Sequence, residues 1–331
     1  MPRALITGIT GQDGSYLSEI LLEQGYEVHG VVRDMAGLGS SRLKNQVANP
    51  AIYDRRLFLH GADLRDPTLL RHILMETEPD EIYHLGGESH VGESFEKVDS
   101  TCEMTAMGTL RLLEVIRELQ LKPRLFHASS SEIFGQAKTV PQDEQTPFWP
   151  VTPYGCAKCF ATQMVAIYRR TFGLFACNGI LYNHESPRRG ENFVTQKICL
   201  AAAAIKEGRQ QELVLGSLTT ERDWGDARDY VRGMWLALQH PSPEDFIFAT
   251  GELHSVRDVI EVAFSAVELD WKKYVKQDQR FLRPEEPSRL VGNPAKARKL
   301  LNWRRTSTFT ELITEMTLAG IRQGPGLSSP V

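Results

Sequence analysis

Apolar residues along this chain come in short runs that end in glycine or polar clusters, and these alternate with stretches of helical spacing. The first run, Ala4-Leu-Ile6, reads as a buried strand. It breaks into a turn with glycines at every third position, Gly8, Gly11 and Gly14. Tyr16-Leu-Ser-Glu-Ile-Leu-Leu-Glu23 follows with helical spacing, Gly25 is placed to close that helix, and Tyr26 to Val32 predicts a second strand. Strand, glycine turn, helix and strand make one βαβ unit. Leu57 to Leu64 predicts a third strand, Glu81 begins a fourth, and 105–119 an amphipathic helix. Arg124 begins a fifth strand that runs into Ser129-Ser-Ser-Glu132. Pro150 and Pro153 bracket the start of a further helix, Gly179 to Tyr182 is a sixth strand, and Phe246 to Thr250 returns to the sheet. Ser255 to Val267 is a helix, and Pro284 to Pro287 marks a loop.

This alternation predicts an α/β fold: a Rossmann-type doubly wound parallel sheet with a smaller C-terminal α/β lobe for substrate. The expected division gives 1–180 to dinucleotide binding, with a later return segment near 217–251. It gives 181–216 and 252–323 to the substrate lobe and 324–331 to a flexible tail. No internal repeat is evident.

With 41% hydrophobic and 24% charged residues in 331, the composition is that of an ordinary globular protein. A formal charge of −4 argues against a nucleic-acid surface, while local arginines remain available for a phosphorylated small molecule. No apolar stretch reaches the roughly 20 residues needed to cross a bilayer. A strand starting at residue 3 leaves no room for a leader, so a cytoplasmic location is expected. Five cysteines, an odd number, fit reduced thiols. Cys156 and Cys159 form a C-x-x-C, but inside an expected helix, which disfavours a redox pair. The scattered histidines suggest no metal.

The glycine turn lets backbone N–H groups approach a pyrophosphate because no Cβ intervenes. At the end of the second strand, Arg33 and Asp34 stand side by side, with Arg42 close behind. Arginine suits a 2′-phosphate and an acid suits a free ribose hydroxyl, so NADP is favoured and Asp34 keeps NAD open. Asp63 can accept from an adenine amino group or cap a helix. Tyr154 and Lys158, four residues apart, share one helix face, where the lysine's charge can lower the phenol's pKa and make it a base. The strand-end cluster Ser130, Ser131 and Glu132 sits where open parallel sheets place their chemistry. Arg188, Arg189, Lys197 and Arg222 then bring a density of positive charge that can clamp a nucleotide-sugar diphosphate. Trp224, Tyr230 and Trp235 read as core, with Trp224 near the pocket.

Several longer strings point further. Thr7-Gly-Ile-Thr-Gly-Gln-Asp-Gly-Ser-Tyr-Leu17, Ser129-Ser-Ser-Glu132, Tyr154-x-x-x-Lys158, Asn178-Gly-Ile-Leu-Tyr-Asn-His-Glu-Ser-Pro-Arg-Arg-Gly190, Arg222-Asp-Trp-Gly225 with Asp229-Tyr-Val231, and Arg283-Pro-x-Glu286 span nearly the whole chain. With them the chain resembles the extended short-chain dehydrogenase/reductases, and within these the GDP-mannose 4,6-dehydratases. The resemblance implies that Gly8, Thr10, Gly11, Gln12, Asp13, Gly14, Arg33, Arg42, Asp63, Leu64, Leu85, Tyr154, Lys158, His184 and Arg189 hold the cofactor. It implies that Glu88, Ser89, Asn183, Lys197, Leu215, Gly216, Arg222, Arg283 and Glu286 hold the nucleotide sugar. It also implies a homodimer or homotetramer. The sequence departs from the family at Ser130, usually threonine, at Glu88, usually glutamine, at Asp34, usually arginine, and at Gly155 and Cys156.

A hexose C5 proton is not acidic until C4 is a ketone, so oxidation must come first. The expected course has Tyr154, activated by Lys158 and helped by Ser130, take the C4 hydroxyl proton as hydride passes to the nicotinamide. Glu132 then removes the C5 proton, water leaves C6 with a proton from Glu132 or a neighbouring hydroxyl such as Ser131, and the hydride returns to C6. The alternatives are a dehydratase for another sugar or one giving an unsaturated product, a 4-epimerase or 4-ketoreductase, and a silent dinucleotide-binding regulator.

Overall fold

The computed structural model describes residues 1–278, 280 and 289–322. Its strands are β1 (Arg3–Thr7), β2 (Glu27–Val32), β3 (Leu57–Gly61), β4 (Glu81–His84), β5 (Arg124–Ser130), β6 (Ala176–Leu181), β7 (Asn183–Glu185), β8 (Leu213–Leu215), β9 (Glu221–Arg222), β10 (Trp224–Asp226), β11 (Phe246–Phe248), β12 (His254–Ser255) and β13 (Val275–Gln277). Its helices are α1 (Gln12–Glu23), α2 (Lys44–Val47), α3 (Pro67–Thr77), α4 (Val98–Thr101), α5 (Gly108–Glu118), α6 (Pro153–Phe172), α7 (Val194–Lys206), α8 (Ala227–Gln239), α9 (Val256–Ala266), α10 (Ala295–Leu300) and α11 (Phe309–Arg322).

Seven strands form one sheet in the order β3-β2-β1-β4-β5-β6-β11, and every neighbouring pair is parallel. The chain winds outward from β1 to β3, then crosses back to β4. A crevice therefore opens between β1 and β4 at their carboxyl ends. Alternate residues serve opposite faces, as the pleat requires. Ala4 and Ile6 pack with Leu17 and Leu21 of α1 and with Val231 and Met234 of α8. Leu5 packs on the other face with Ile73 and Leu74 of α3, Leu112 and Ile116 of α5, and Val165 and Tyr168 of α6. The sheet is thus covered on both sides, the doubly wound arrangement expected.

A second apolar cluster joins α7 (Ile198, Ala202), α9 (Val259, Phe264), α11 (Leu312, Met316), β8 and Trp224. Small two-stranded sheets, β10 with β7, β12 with β9 and β13 with β8, lie beside it in the sequence.

Three expectations need correction. The third strand stops at Gly61 rather than Leu64, because Asp63 turns back to bind the backbone and side chain of Arg65. The cap of α3 is Asp66, whose carboxylate accepts from the N–H groups of Thr68 and Leu69. The helix expected over 105–119 starts earlier: α4 runs into a π-helical stretch, Cys102–Met107, before α5. The flexible-tail assignment and the Pro284–Pro287 loop lie outside the described residues.

Candidate active site

Beyond the carboxyl ends of β4, β5 and β6 lies a cleft of about 620 Å³. Strand β5 delivers Ser130 to its floor, and the chain turns there into a short 3-10 helix, Ser131–Ile133, carrying Glu132. The Ser130 hydroxyl caps that turn by accepting from the Glu132 N–H at 3.2 Å. Helix α6 starts beside it: Thr152 caps by accepting from the Gly155 N–H at 2.9 Å, and Pro153 occupies the first turn, where no N–H is needed. That start places Tyr154 and Lys158 on the face turned to β5. Tyr154, Lys158, Ser130, Ser131 and Glu132 are all buried and all line the cleft.

The Lys158 ammonium donates to the Ala128 carbonyl at 2.8 Å and lies 5.9 Å from the Tyr154 ring centre. Burial lowers its pKa to about 8, with the Asp13 carboxylate working to raise it. Burial pushes the Tyr154 phenol up to about 12, against a hydrogen bond from Ser130 and the charge of Arg189, while Glu132 pushes the same way as burial. The expected lowering of the phenol by Lys158 is therefore not a property of the free protein. Burial is the largest influence on the phenol and raises it.

His184 donates to the Tyr182 carbonyl at 2.7 Å from one ring nitrogen and meets the Asp13 carboxylate at 2.8 Å with the other. Both partners only accept, so the ring carries two protons and a positive charge. Its pKa is raised although burial alone lowers it, because Asp13 sits against it. The Asp13 carboxyl is lowered in turn: burial raises it, but His184, Gln12 and Arg189 together outweigh burial. The Gln12 amide donates to the His184 carbonyl at 3.0 Å and its oxygen accepts from Ser186 at 2.8 Å. These bonds stitch the first turn of α1 to β7.

The glycine turn fits a dinucleotide. Gly8 has φ +74°, and a Cβ there would lie 2.9 Å from the Gly86 nitrogen. A Cβ on Gly14 would lie 2.4 Å from the Gly8 carbonyl oxygen, so only glycine lets α1 start this close to β1. Gly11 caps α1 without a side chain, leaving the helix start open to an anion. Arg33 is exposed just past β2, whereas the Asp34 carboxylate folds back onto the Ala36 N–H at 2.9 Å. Arg42 reaches the Arg188 carbonyl at 2.6 Å and the Thr10 carbonyl at 3.3 Å. Asp63 is held by Arg65, and Leu64 is buried against the Gly86 turn.

Of the residues expected to hold substrate, Glu88, Ser89, Asn183, Lys197, Leu215, Gly216 and Arg222 line the cleft, as do Leu85, Asp13, His184 and Arg189 from the cofactor set. Arg283 and Glu286 lie outside the described residues. Arg188 leaves the expected cationic cluster: its guanidinium lies over the Tyr16 ring at 3.9 Å and pairs with Glu19 at 2.7 Å. Arg189 stays in the cleft, over the Phe193 ring at 3.6 Å. Trp224 lines the cleft too, while Tyr230 is core, stacked on His184 at 4.7 Å. Sequence reasoning missed His90, Asn192, Phe193, Thr220 and Val256 as lining residues. They stand in loops or at helix starts, where no periodicity marks them. All five cysteines are free, with Cys156 exposed.

The chain is similar to several known proteins. Residues 5–316 match the profile of a family described as GDP-mannose 4,6 dehydratase. The chain is 47% identical over 318 residues to GDP-mannose 4,6 dehydratase 1 of Arabidopsis thaliana, covering 95% of this chain and 88% of that one. It is 45% identical over 338 residues to the human GDP-mannose 4,6 dehydratase, covering 96% and 91%. Among solved structures, the dTDP-glucose 4,6-dehydratase of Streptomyces venezuelae with NAD bound superposes with a TM-score of 0.82, at 24% identity and 97% coverage of each chain. The Pseudomonas aeruginosa protein RMD complexed with NADPH gives 0.80 at 22% identity, covering 97% of this chain and 100% of that one. At such identities the structural likeness speaks for the fold.

Proposed function

The chain belongs to the GDP-mannose 4,6-dehydratase family, and on that premise we propose how its cleft turns GDP-mannose into a 4-keto-6-deoxy sugar. It is a nucleotide-sugar 4,6-dehydratase dependent on a nicotinamide dinucleotide. When bound, that dinucleotide takes up hydride from C4 and gives it back at C6. With the positive charge of an oxidised dinucleotide and of Lys158 beside it, the Tyr154 phenol would first release its own proton to solvent; the phenolate then receives the C4 hydroxyl proton, with Ser130 hydrogen-bonded to the same oxygen. Lys158, charged below about pH 8, stabilises the phenolate from one helical turn away. Glu132 takes the C5 proton once the C4 carbonyl can spread the charge, and protonates the departing C6 oxygen either directly or through Ser131. Arg189, Lys197 and Arg222 offer the diphosphate its cations.

The observation that supports this reading most is the single hydroxyl of Ser130, which bridges the Tyr154 phenol and the Glu132 backbone. The Glu132 charge acts on the same phenol, which supports a C4 base and a C5 base side by side, a pairing that a 4-epimerase or 4-ketoreductase has no need of. NADP is the favoured cofactor, because Arg33 is exposed and makes no hydrogen bond among the described residues while Asp34 is occupied with its own loop. Residues 1–180 and the return near 217–251 serve the dinucleotide, and 181–216 with 252–323 the sugar nucleotide. Exposed Phe160 and Ile167 on α6 and Val98 on α4 favour a homodimer or homotetramer. The free thiols fit the cytoplasm.

The test is incubation with GDP-mannose in heavy water. The expected product has lost water and gained one deuterium. Deuterium without loss of water points to epimerisation through C5, and an unchanged sugar rejects the reading.

A further inference from the structure

We propose that Glu88 selects the sugar, its carboxylate accepting hydroxyl groups of the bound hexose; this rests on the reading of the cleft given above. Glu88 follows the Gly86-Gly87 step beyond β4 and lines the same cleft as Ser130, Glu132 and Tyr154. The protein grips it from one side. Its N–H donates to the Thr105 hydroxyl at 3.2 Å, and its Oε1 accepts from the Ser100 hydroxyl at 3.3 Å.

Both partners belong to the distorted helix that starts at α4. Thr105 sits within the π-helical stretch, where the wider turn changes which residues face the sheet. The same hydroxyl would be 3.2 Å from a Cβ on Gly87, so the loop and the π-turn are fitted to one another. The distortion thereby acquires a purpose: it holds the Glu88 backbone and one carboxylate oxygen in place.

The other oxygen, Oε2, makes no hydrogen bond among the described residues. Nor does an ion pair with any described residue neutralise the charge. Among the described residues, Arg65 and Lys97 are cations close enough to feel it. Arg65 is bound to Asp63 at 2.8 Å, and Lys97 to Glu93 at 2.9 Å. A half-satisfied carboxylate in a cleft repels a diphosphate, and the clamp of Arg189, Lys197 and Arg222 comes from other elements of the fold. Neutral donors are what remain, and a carboxylate's two parallel lone-pair directions suit hydroxyls of a sugar ring. A glutamine at this place would offer one acceptor and one donor instead of two acceptors.

The competing source of such donors is the dinucleotide, through its ribose hydroxyls or carboxamide. Calorimetric titration of the full-length protein and its Glu88→Gln variant with GDP-mannose, GDP and NADP separates the two. The isosteric variant keeps the loop's hydrogen bonds to Thr105 and Ser100. The expected result is a loss of about tenfold or more in affinity for GDP-mannose, the size of a hydrogen bond to a charged group. Affinity for GDP and for NADP should stay within about twofold. A GDP-sugar lacking one contacted hydroxyl should bind the parent protein equally poorly and lose nothing more in the variant. Unchanged GDP-mannose binding overturns the proposal, as does a loss shared with GDP or confined to NADP. Parent protein that binds GDP-mannose yet never dehydrates it overturns the catalytic reading instead.

Discussion

The turn from Gly8 to Gly14 and the segment from Arg222 to Tyr230 both shape the cleft, by opposite means. The first works by leaving side chains out: backbone approaches backbone at distances that a Cβ would forbid. The second works by burying carboxylates. Asp223 accepts from the Thr250 N–H and hydroxyl at 2.8 and 2.6 Å, from the Gly251 N–H at 2.9 Å and from the Gly292 N–H at 3.2 Å. Asp226 caps α8 and accepts from Ser307 at 3.1 Å, and Asp229 accepts from the Thr306 N–H and hydroxyl at 2.8 and 2.7 Å. Three aspartates spaced by threes thus peg three distant stretches of chain around Arg222 and Trp224. The lesson is that one region fails by steric clash and the other by lost acceptors.

The largest effect should come from Gly14→Ala. Its methyl has no escape from the Gly8 carbonyl and the Ile9 Cα, so destabilisation of about 3 kcal/mol and loss of dinucleotide binding are expected. Denaturant unfolding with a fluorescence titration of NADPH checks both. A variant that binds normally would show that the turn yields, and the contrast drawn above would weaken.

Next is Asp223→Asn, which keeps the volume and removes one acceptor oxygen. Leaving buried N–H groups unpaired costs about 2 kcal/mol. Here affinity for GDP-mannose should fall while that for NADP holds, the reverse of the glycine variant. Equal losses for both ligands would mean that the two regions are not separable.

A third test addresses the seam between sheet and cleft, where buried His84 accepts from the Thr7 hydroxyl at 2.8 Å and donates to Thr109 at 3.0 Å. Burial, and then the charge of Lys158, lowers the His84 pKa to about 3. Between there and the ordinary value near 6.5, the unfolded chain binds a proton that the folded one refuses. Stability is therefore full above that ordinary value and falls with pH below it, by about 1.4 kcal/mol per pH unit. His127, lowered in the same direction by burial, steepens the slope. Urea midpoints that stay level on acidification below the ordinary imidazole range would contradict this. The smallest effect belongs to Gly25→Ala. Its φ is +83°, but nothing lies within 4 Å of the added methyl, so only backbone strain of about 1 kcal/mol is expected.

Much of the first region was legible in the sequence, because a turn made of glycines announces itself and apolar alternation on β1 to β6 marks two buried faces. The Tyr154-Lys158 face and the placement of Ser130 to Glu132 followed from helix spacing and sheet direction. The second region was visible only as a string of residues. That Asp223 collects donors from Thr250 and Gly292 depends on contacts far apart in the chain, and strands of two or three residues such as β7, β9 and β10 have no period to detect. The effect of burial on Tyr154 was not legible for a related reason: the helix face shows the lysine, but the depth of burial belongs to the assembled fold. The π-turn around Thr105 was hidden as well, since its residues fit an ordinary helix.

The central claim is that Glu132 removes the C5 proton after Tyr154 and Lys158 have allowed oxidation at C4. Rapid mixing of Glu132→Gln protein and NADP with GDP-mannose tests it directly, following near-ultraviolet absorbance and the mass of the sugar. The account predicts that reduced dinucleotide appears slowly and persists while no water is lost from the sugar. Dehydration by the variant at the parent rate would contradict it.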